Sequence, residues 1–309
     1  LVFEVHDLWP LSPIELGNMS RWHPFIMMVQ AAEDYAYRHS DVVVSMLPNV
    51  REYMVSRGMK PEKLRIVPNG IDPDEWLEGR DALNLDVSKI FSELRAQGKA
   101  IVGYAGTHGV GNALDAFIDA AKLIKDDKVV FVLVGGGPDK LALQERVQAE
   151  GVKNVVFVPP VKKTQIPELL KFFDIAYIGF QRQPLYRFGI APNKLMDYMM
   201  AGCAVLHSVE AGNDPVAEAG CGMTVPPQDA SAVAEGYVKD EAAPPATEPI
   251  STTTVVRGRS PAWRVTAATT ASTAPVLTSP PITRNIIAMV QGAGLASTSV
   301  ASFTGRIPR

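Results

Sequence analysis

The sequence predicts an α/β protein with two domains, each built around a parallel β-sheet. Short apolar segments typical of buried strands alternate with helix-spaced segments along most of the chain, and this alternation indicates strands joined by crossover helices. The chain has 309 residues, 47% of them hydrophobic and 20% charged, so it can bury a sizeable core, and its length favours about two domains. A polar, irregular stretch between Pro73 and Lys99 separates two alternating blocks.

The first block, residues 1–78, is predicted to be the later part of the first domain. It contains the strand patterns LVFEV, DVVVSML and KLRIVPNGID, a helix from Pro24 to His39 and a helix ended by Gly58. LVFEV has the pattern of a buried strand from its first residue, so we expect earlier strands of this domain to precede Leu1 and the domain to be incomplete here. The polar stretch, with residues 79–98 as the connector, is predicted to contain one short helix.

The second block, residues 99–238, predicts a doubly wound domain in which strands alternate with helices. The strand patterns are AIVGYAG, KVVFVLVGGG, NVVFVPP, DIAYIGF and CAVLHS, and the helix patterns are NALDAFIDAAKLI, DKLALQERVQAEG, IPELLKFF, PNKLMDYMM and DASAVAEGYV. In such sheets ligands bind beyond the carboxyl ends of the strands, where loops run into helix N-termini.

Residues 239–309 differ in composition from the rest of the chain. From Asp240 onward the sequence is rich in Ala, Thr, Ser and Pro, has no lysine, and has no acidic residue after Glu248. Such a composition does not readily offset the entropy lost on ordering. The segment is interpreted either as a flexible natural extension or, as we favour, as a frame-shifted or otherwise non-homologous end.

Composition also limits the partners and the compartment. The net charge of −3, without basic runs interleaved with aromatic residues, argues against nucleic acid. Cys203 and Cys221 are the only cysteines and match neither a metal-binding nor a disulfide pattern, which favours the reduced cytoplasm. No apolar run approaches the roughly 18 residues of a membrane span, so we expect peripheral membrane contact at most. The cluster Arg21–Met28 fits such a contact, a grip on a lipid-linked acceptor, or burial in the first domain.

Two glycine-rich turns follow strands of the second block. In GTHGVGN, Gly106, Gly109 and Gly111 let backbone amides approach a ligand, and Thr107 adds a hydroxyl; the alternative is a tight turn without a ligand. The third glycine of a dinucleotide fingerprint is missing, which argues against NAD. The second turn, GGGPDK, has ordinary turn chemistry and supports a site only together with the first.

The stretch FGIAPNKLMDYMMAGCAVL places polar residues at the start of an apolar helix. Pro192 suits the first turn, Asn193 can cap exposed amides, and Lys194 can carry its ammonium to an anion at that helix end. Asp197 lies on the same face at i+3. A lysine can bind a phosphate, and a nearby carboxylate can accept hydrogen bonds from two vicinal hydroxyls, so the pair suits a nucleotide sugar. The alternative is that Lys194 is merely solvated.

His6 and Asp7 follow the strand that opens the first block. A side chain at the carboxyl end of a strand is placed to face a cleft, and histidine exchanges protons near neutral pH. We predict that this pair contacts the donor sugar or the acceptor hydroxyl. The alternative is that Asp7 caps the loop and His6 is a neutral structural side chain.

These motifs, in this order, resemble glycosyltransferase family 4, which has the GT-B fold. The resemblance covers roughly Leu1 to Val238, and its specificity lies in the collinearity of the motifs. The motifs are FEVHDLWP, VREYMVSRG and VPNGID in the first block, and VGGGPDKLALQERVQAEGVKNVVFVPPV, IPELLKFFDIAYIGF, PNKLMDYMMAGCAVL and AEAGCGMTVPPQDASAVAEGY in the second. The sequence is most similar to the WbuB-like, fucosaminyltransferase-like branch, which acts in surface polysaccharide assembly.

The resemblance implies two Rossmann-like domains facing a cleft, with a nucleoside diphosphate sugar, expected to be a UDP-sugar, on the second. It implies a glycan or lipid-linked acceptor on the first, transfer with retention at the inner face of the membrane, and neither cofactor nor metal. Backbone amides, helix N-termini and basic side chains then stabilise the leaving diphosphate. The residues implied are Gly106, Thr107, Gly109, Gly111, Lys194 and Arg187 for the diphosphate, Asn193 and Asp197 for the ribose or sugar, and His6 and Asp7 for catalysis.

The sequence departs from the common family pattern at three positions. Thr107 and Asn112 stand where many members have Arg and Lys, and Asp197 stands where the second of two paired glutamates falls. Two alternatives therefore stay open. One is an inactive or nucleotide-binding-only fragment; the other is a UDP-sugar epimerase of the same fold, which needs a pair of acid/base carboxylates in the cleft.

Overall fold

A computed structural model describes residues 1–78 and 80–241 of the chain. They form two α/β units, each with a parallel sheet, so the predicted fold class is confirmed. The predictions for the tail beyond Glu241 lie outside the described residues. Within the described ranges, every helix falls short of the length and apolarity that a bilayer-spanning segment needs.

The first unit is a three-stranded sheet in the order β1-β2-β3 with helices packed around it. Helix α2 has the predicted bounds, because Pro24 suits a first helical turn and the ring of His23 accepts a hydrogen bond from the Phe25 amide at 3.2 Å. The elements are β1 (Val2–Val5), α1 (Leu11–Glu15), α2 (Pro24–His39), β2 (Val42–Ser45), α3 (Arg51–Ser56), β3 (Leu64–Ile66) and α4 (Pro73–Glu78).

The second unit is a six-stranded sheet in the order β6-β5-β4-β7-β8-β9. Counted from β4, this is the doubly wound order in which the winding direction switches between β4 and β7. The elements are α5 (Leu85–Ala96), β4 (Ala100–Ala105), α6 (Leu114–Leu123), β5 (Val129–Val134), α7 (Lys140–Ala149), β6 (Val155–Val158), α8 (Ile166–Leu170), β7 (Ile175–Gly179), α9 (Asn193–Met200), β8 (Ala204–Ser208), α10 (Pro215–Ala219), β9 (Gly222–Val225) and α11 (Ala230–Glu241).

Strand β9 was not predicted from the sequence. It pairs only with β8 and has one buried residue, Val225. An edge strand needs little apolar surface, so its sequence pattern is weak. Gly222 is required there because a Cβ would lie 1.9 Å from the carbonyl oxygen of Val205.

The prediction of one short helix between Pro73 and Lys99 was wrong, because two helices lie there. Helix α5 has 12 residues and buries Val87 and Phe91 in the core of the second unit. The ring of Phe91 stacks on that of Phe172 at 5.1 Å. The apolar stripe of α5 is narrow, so its sequence resembles that of a polar loop. The helix is stabilised mainly by the packing of Val87 and Phe91 in the core.

The cluster Arg21–Met28 is largely exposed in the described chain. Ile26 is buried, whereas Trp22 and Met28 expose 76% and 64% of their surface. Burial of the whole cluster, one of the three interpretations, is thus not found among the described residues. Whether it contacts a membrane stays a prediction.

A short segment of the second unit joins the two units. The 3₁₀ turn Pro184–Phe188 places the Phe188 side chain in the core of the first unit. The Asn49 amide donates to the Phe188 carbonyl at 3.0 Å, and the Asn69 side chain donates to the Ala191 carbonyl at 2.7 Å. Asn49 and Asn69 follow β2 and β3, so the carboxyl ends of the first sheet face the second unit.

Candidate functional site

The glycine turn after β4 lies at the switch point of the second sheet. The carbonyl of Gly111 in this turn accepts from the Gln181 amide, just beyond β7, at 3.1 Å. On the other side, the Tyr198 hydroxyl of α9 accepts from the Ala105 amide at 3.2 Å. Hydrogen bonds therefore connect the turn after β4 to the segment after β7, and the end of β4 to α9. In this architecture ligands bind at this place.

Lys194 is brought to this turn by α9, as the sequence predicts. Its ammonium donates to the Asn112 side-chain oxygen at 3.1 Å and to the Tyr104 hydroxyl at 3.2 Å, and lies 4.4 Å from the centre of the Tyr104 ring. Lys194 and Tyr198 are four residues apart, so they share one helix face. The helix face that anchors α9 to β4 also points the ammonium at the glycine turn.

The Lys194 ammonium has only neutral partners among the described residues. A phenol oxygen, an amide oxygen and an aromatic face surround it, and no described carboxylate forms an ion pair with it. Burial lowers the pKa of Lys194 to about 8. The charge also lies at the positive end of the α9 dipole, where a cation is disfavoured. An anion bound here would relieve both penalties.

The hydrogen bonds of Tyr104 and Asn112 set the shape of the turn. The Tyr104 hydroxyl donates to the Thr107 carbonyl at 2.7 Å, and the Asn112 amide nitrogen donates to the same oxygen at 3.0 Å. Burial raises the pKa of Tyr104 well above its ordinary value, so the phenol stays protonated and donates. The Tyr104 hydroxyl thus donates to the turn and accepts from Lys194 through the same oxygen, whereas Asn112 donates through its side-chain nitrogen and accepts through its side-chain oxygen.

Of the three glycines predicted in this turn, Gly106 has a backbone conformation that disfavours a side chain. Gly106 has φ +153°, and a Cβ there would lie 3.1 Å from the Tyr104 hydroxyl and 3.4 Å from the Lys194 ammonium. A Cβ on Gly109 would meet nothing nearer than 3.9 Å, and on Gly111 nothing within 4 Å. Packing therefore leaves room beside Gly109 and Gly111.

The second glycine turn packs against the first. A Cβ on Gly135 would lie 2.0 Å from the Gly106 carbonyl oxygen, and one on Gly137 would lie 2.3 Å from the His108 carbonyl oxygen. The His108 amide donates to the Gly136 carbonyl at 2.8 Å. Close contact between the two backbones explains these glycines.

His108 fills the space between the two turns, a role that was not predicted. Its side chain is fully buried, neither ring nitrogen has a partner among the described residues, and its ring centre lies 6.1 Å from those of Tyr104 and Phe157. Burial, followed by the charge of Lys140, lowers the pKa of His108 to about 4. The imidazole is therefore neutral at physiological pH.

Asp197 and Asn193 also lie on α9, but their contacts differ from expectation. The Asp197 carboxylate accepts from the Trp76 indole nitrogen at 3.2 Å. Burial raises its pKa, while the Trp76 hydrogen bond and the Lys163 charge oppose the rise. The prediction that Asn193 caps the helix was wrong: Pro192 is the N-cap and no side chain caps α9. Since proline has no capping group, the first amides of α9 lack a side-chain acceptor.

Arg187, His6 and Asp7 are not brought to the glycine turn by their contacts. The Arg187 guanidinium makes two 2.7 Å hydrogen bonds to the Glu15 carboxylate of α1. His6 and Asp7 are exposed at the carboxyl end of β1, and the His6 ring lies 3.3 Å from the Glu4 carboxylate. Their predicted roles in diphosphate binding and catalysis stay predictions.

Each unit of this architecture matches a glycosyltransferase family model. Residues 1–75 match Glycosyltransferase Family 4, and residues 99–239 match Glycosyl transferases group 1. The two units are therefore similar in sequence to glycosyltransferase domains. Within the described residues, no group of three or more His, Cys, Asp or Glu side chains is arranged to hold a metal ion.

The chain is also similar to an individual glycosyltransferase. WcaI of Escherichia coli (strain K12), named as a glycosyl transferase of colanic acid biosynthesis, is 25% identical over 185 residues, which are 60% of this chain and 44% of WcaI. The chain thus spans less than half of the length of this curated relative. The match does not identify the WbuB-like branch, which stays a prediction.

Solved GT-B structures share the fold at low sequence identity. Anabaena Alr3699/HepE in complex with UDP-glucose superposes with a TM-score of 0.55 at 18% identity, covering 76% of this chain and 60% of that one. WaaG, a glycosyltransferase of lipopolysaccharide biosynthesis, superposes with a TM-score of 0.56 at 17% identity, covering 78% and 66%. The predicted GT-B architecture is confirmed.

Proposed function

We propose that this chain carries the donor side of a glycosyltransferase that moves a sugar from UDP to a glycan or lipid-linked acceptor. The observation that carries the proposal is the Lys194 ammonium, held at the glycine turn by Tyr104 and Asn112 with no carboxylate partner among the described residues. Binding of UDP-glucose by HepE, which shares the fold, supports a UDP-sugar as the donor.

The leaving diphosphate develops negative charge as the sugar departs, and fixed positive groups stabilise it without a metal. Lys194 supplies a full charge, and the N-terminus of α9, whose first amides have no side-chain cap, supplies backbone N–H groups. The open space beside Gly109 and Gly111 lets the backbone of the turn approach the phosphates. We assign the diphosphate to this corner and Thr107 to its edge.

Asp197 lies one helical turn from Lys194, which matches the distance from a diphosphate to the ribose of the same nucleotide. Its carboxylate is the acceptor for ribose hydroxyls, with Asn193 beside it at the start of α9. His6 and Asp7 are assigned to the sugar or the acceptor, because the carboxyl ends of the first sheet face the second unit.

The remaining features are carried over from the family resemblance and from the relatives. Transfer with retention, a role in surface polysaccharide assembly and action at the inner face of the membrane belong to the resemblance. WcaI is named for colanic acid biosynthesis, which supports the polysaccharide role.

Calorimetric titration of the full chain with UDP tests the donor site. We expect binding in the wild type and, for Lys194→Met, at least about a tenfold loss of affinity, since a hydrogen bond to a charged group contributes about 1.5–3 kcal/mol. Lys89→Met is the matched control, because Lys89 is exposed on α5 and pairs with Glu93, which is exposed as well. Absence of heat with wild type at millimolar UDP would contradict the assignment.

A second assay separates the alternatives. Transfer of labelled sugar from a UDP-sugar to an acceptor supports the glycosyltransferase. Nucleotide binding without transfer indicates a binding-only chain, and conversion of the UDP-sugar without any acceptor indicates an epimerase.

A further inference from the structure

Helix α4 places one aromatic side chain against the donor helix α9. The half-buried Trp76 donates its indole N–H to the Asp197 carboxylate at 3.2 Å, although 121 residues separate the two in sequence. The Asp72 side chain caps α4 by accepting from the amides of Asp74 and Glu75 at 2.9 and 3.2 Å. The helix that carries the indole is therefore anchored at its start.

Other contacts fix α4 and the chain after it to the second unit. The Asp81 amide donates to the Thr164 carbonyl at 3.0 Å, and the Thr164 hydroxyl donates to the Asp81 carboxylate at 2.7 Å. Glu75 pairs with Lys163 at 3.2 Å. Asp197 makes none of these hydrogen bonds or ion pairs, although the Lys163 charge opposes the rise that burial causes in its pKa, so the position of the indole is set by contacts other than the carboxylate it binds.

The electrostatics of Asp197 require such a donor. The carboxylate is half-buried, and burial favours its neutral form. A neutral carboxyl would offer a weaker acceptor to hydroxyl groups, and a freely rotating one would lose entropy on binding. One indole hydrogen bond opposes both effects, because it favours the ionised form and fixes the side-chain orientation.

We propose that Trp76 is a positioning residue for the donor site: its indole N–H holds one Asp197 oxygen so that the other accepts from the ribose hydroxyls of the nucleotide. The inference rests on the proposed function, since it needs a nucleotide with Asp197 at its ribose. Trp76 would then be a specificity determinant that lies outside the second domain. The sequence predicts that domain to begin at residue 99, and Trp76 lies earlier, in the segment that follows the first sheet.

The test compares UDP with 2′-deoxy-UDP, measured by calorimetry on the full 309-residue chain. Wild type should bind UDP about tenfold more tightly than the deoxy nucleotide, since one charge-assisted hydrogen bond is lost. Trp76→Phe keeps a ring but removes the N–H, and we expect the ratio of the two affinities to fall to about twofold or less. Asp197→Asn should lower the ratio as far, and the double variant no further.

Asp81→Ala is the matched control, because it removes the neighbouring hydrogen bond with the Thr164 hydroxyl and leaves the indole and Lys163 in place. It should keep the wild-type ratio. If Trp76→Phe does not fold, judged by circular dichroism, benzothienylalanine at position 76 replaces the N–H by sulfur with the ring shape kept, and the same ratio is measured.

Each result decides the matter. If Trp76→Phe or the sulfur analogue keeps the wild-type ratio, or weakens both nucleotides equally, the positioning role is overturned while the donor site stands. If Asp197→Asn keeps the ratio, the ribose assignment and the positioning role both fail. If wild type binds neither nucleotide, the proposed function itself fails, and that failure is seen without any variant.

Discussion

The Arg187 guanidinium makes a bidentate pair with the Glu15 carboxylate, 172 residues earlier in the chain, with both hydrogen bonds at 2.7 Å. Glu15 lies in α1 of the first unit and Arg187 in the turn that inserts Phe188 into the core of that unit. The pair therefore joins the two units directly beside the segment that leads to α9. A residue that sequence patterns associate with the donor phosphate makes a contact between units.

The pair should contribute modestly to stability and more to local order. Its side chains are 49% and 20% exposed, and exposed pairs contribute about 0.2–1 kcal/mol. A double-mutant cycle of Glu15→Gln and Arg187→Gln in urea unfolding should give a coupling free energy of about 1 kcal/mol or less. In these variants, the amides of Gly189 and Gly212, which bond to the Tyr186 carbonyl, should exchange faster with solvent. Unchanged exchange would contradict the inference that the ion pair holds the two units together.

Lys194 should cost the protein stability. A half-buried ammonium without a carboxylate partner is disfavoured by desolvation, so Lys194→Met should raise the free energy of unfolding by about 1–2 kcal/mol. Chemical denaturation at pH 7 measures this, with Lys89→Met expected to change little. A destabilised Lys194→Met would show that the ammonium holds the turn together rather than awaiting an anion.

The same lysine predicts a pH dependence of defined sign. Its pKa is lowered to about 8 in the folded chain and is about 10.4 when unfolded. Between these values the unfolded chain binds a proton that the folded chain does not, so this group makes wild type more stable as pH rises. The stability of wild type minus that of Lys194→Met should therefore increase over this interval, and a flat difference would contradict the burial of the charge.

UDP affinity should change with pH in the opposite direction. The diphosphate binds the protonated amine, so affinity should fall as the pH rises through about 8. Lys194→Arg stays charged across this range and should show no such fall, even if its affinity is lower throughout. A decline of the same size in both proteins would assign the titration to another group.

Two glycines of the first turn should respond differently to alanine. Gly106→Ala places a methyl group 3.4 Å from the Lys194 ammonium at φ +153°, so we expect a loss of about 1–3 kcal/mol in stability together with weaker UDP binding. Gly111→Ala meets nothing within 4 Å and should leave stability within about 0.5 kcal/mol. Weaker UDP binding by a stable Gly111→Ala would place the ligand against that backbone; unchanged binding would contradict it.

Phe91→Ala should destabilise the second unit although Phe91 lies in the segment predicted as a connector. Its ring is fully buried and packs on Phe172 and Phe173, and such truncations cost about 3–5 kcal/mol. Urea unfolding measures this cost. Leu85→Ala, on the same helix but 88% exposed, is the control and should change stability little.

Local patterns predicted the elements whose signals lie within a few residues of one another. The bounds of α2 follow from Pro24 and its apolar spacing, and β4 to β8 are apolar runs between turns, so these were recognised. The placement of Lys194 at the first glycine turn also followed, because strand and helix order alone brings those turns to one edge of the sheet. Strand β9 and helix α5 were missed because each contributes only a narrow apolar surface to a core made elsewhere.

The sequence by itself determined the two parallel-sheet units and the meeting of Lys194 with the glycine turn, since periodicity and chain order encode both. The tertiary structure alone decided the partners of the site residues: Trp76 for Asp197, Glu15 for Arg187, and no side-chain cap for α9. The physical reason is that hydrogen bonds between residues more than a hundred positions apart depend on how the units pack. No local pattern of residues records that packing.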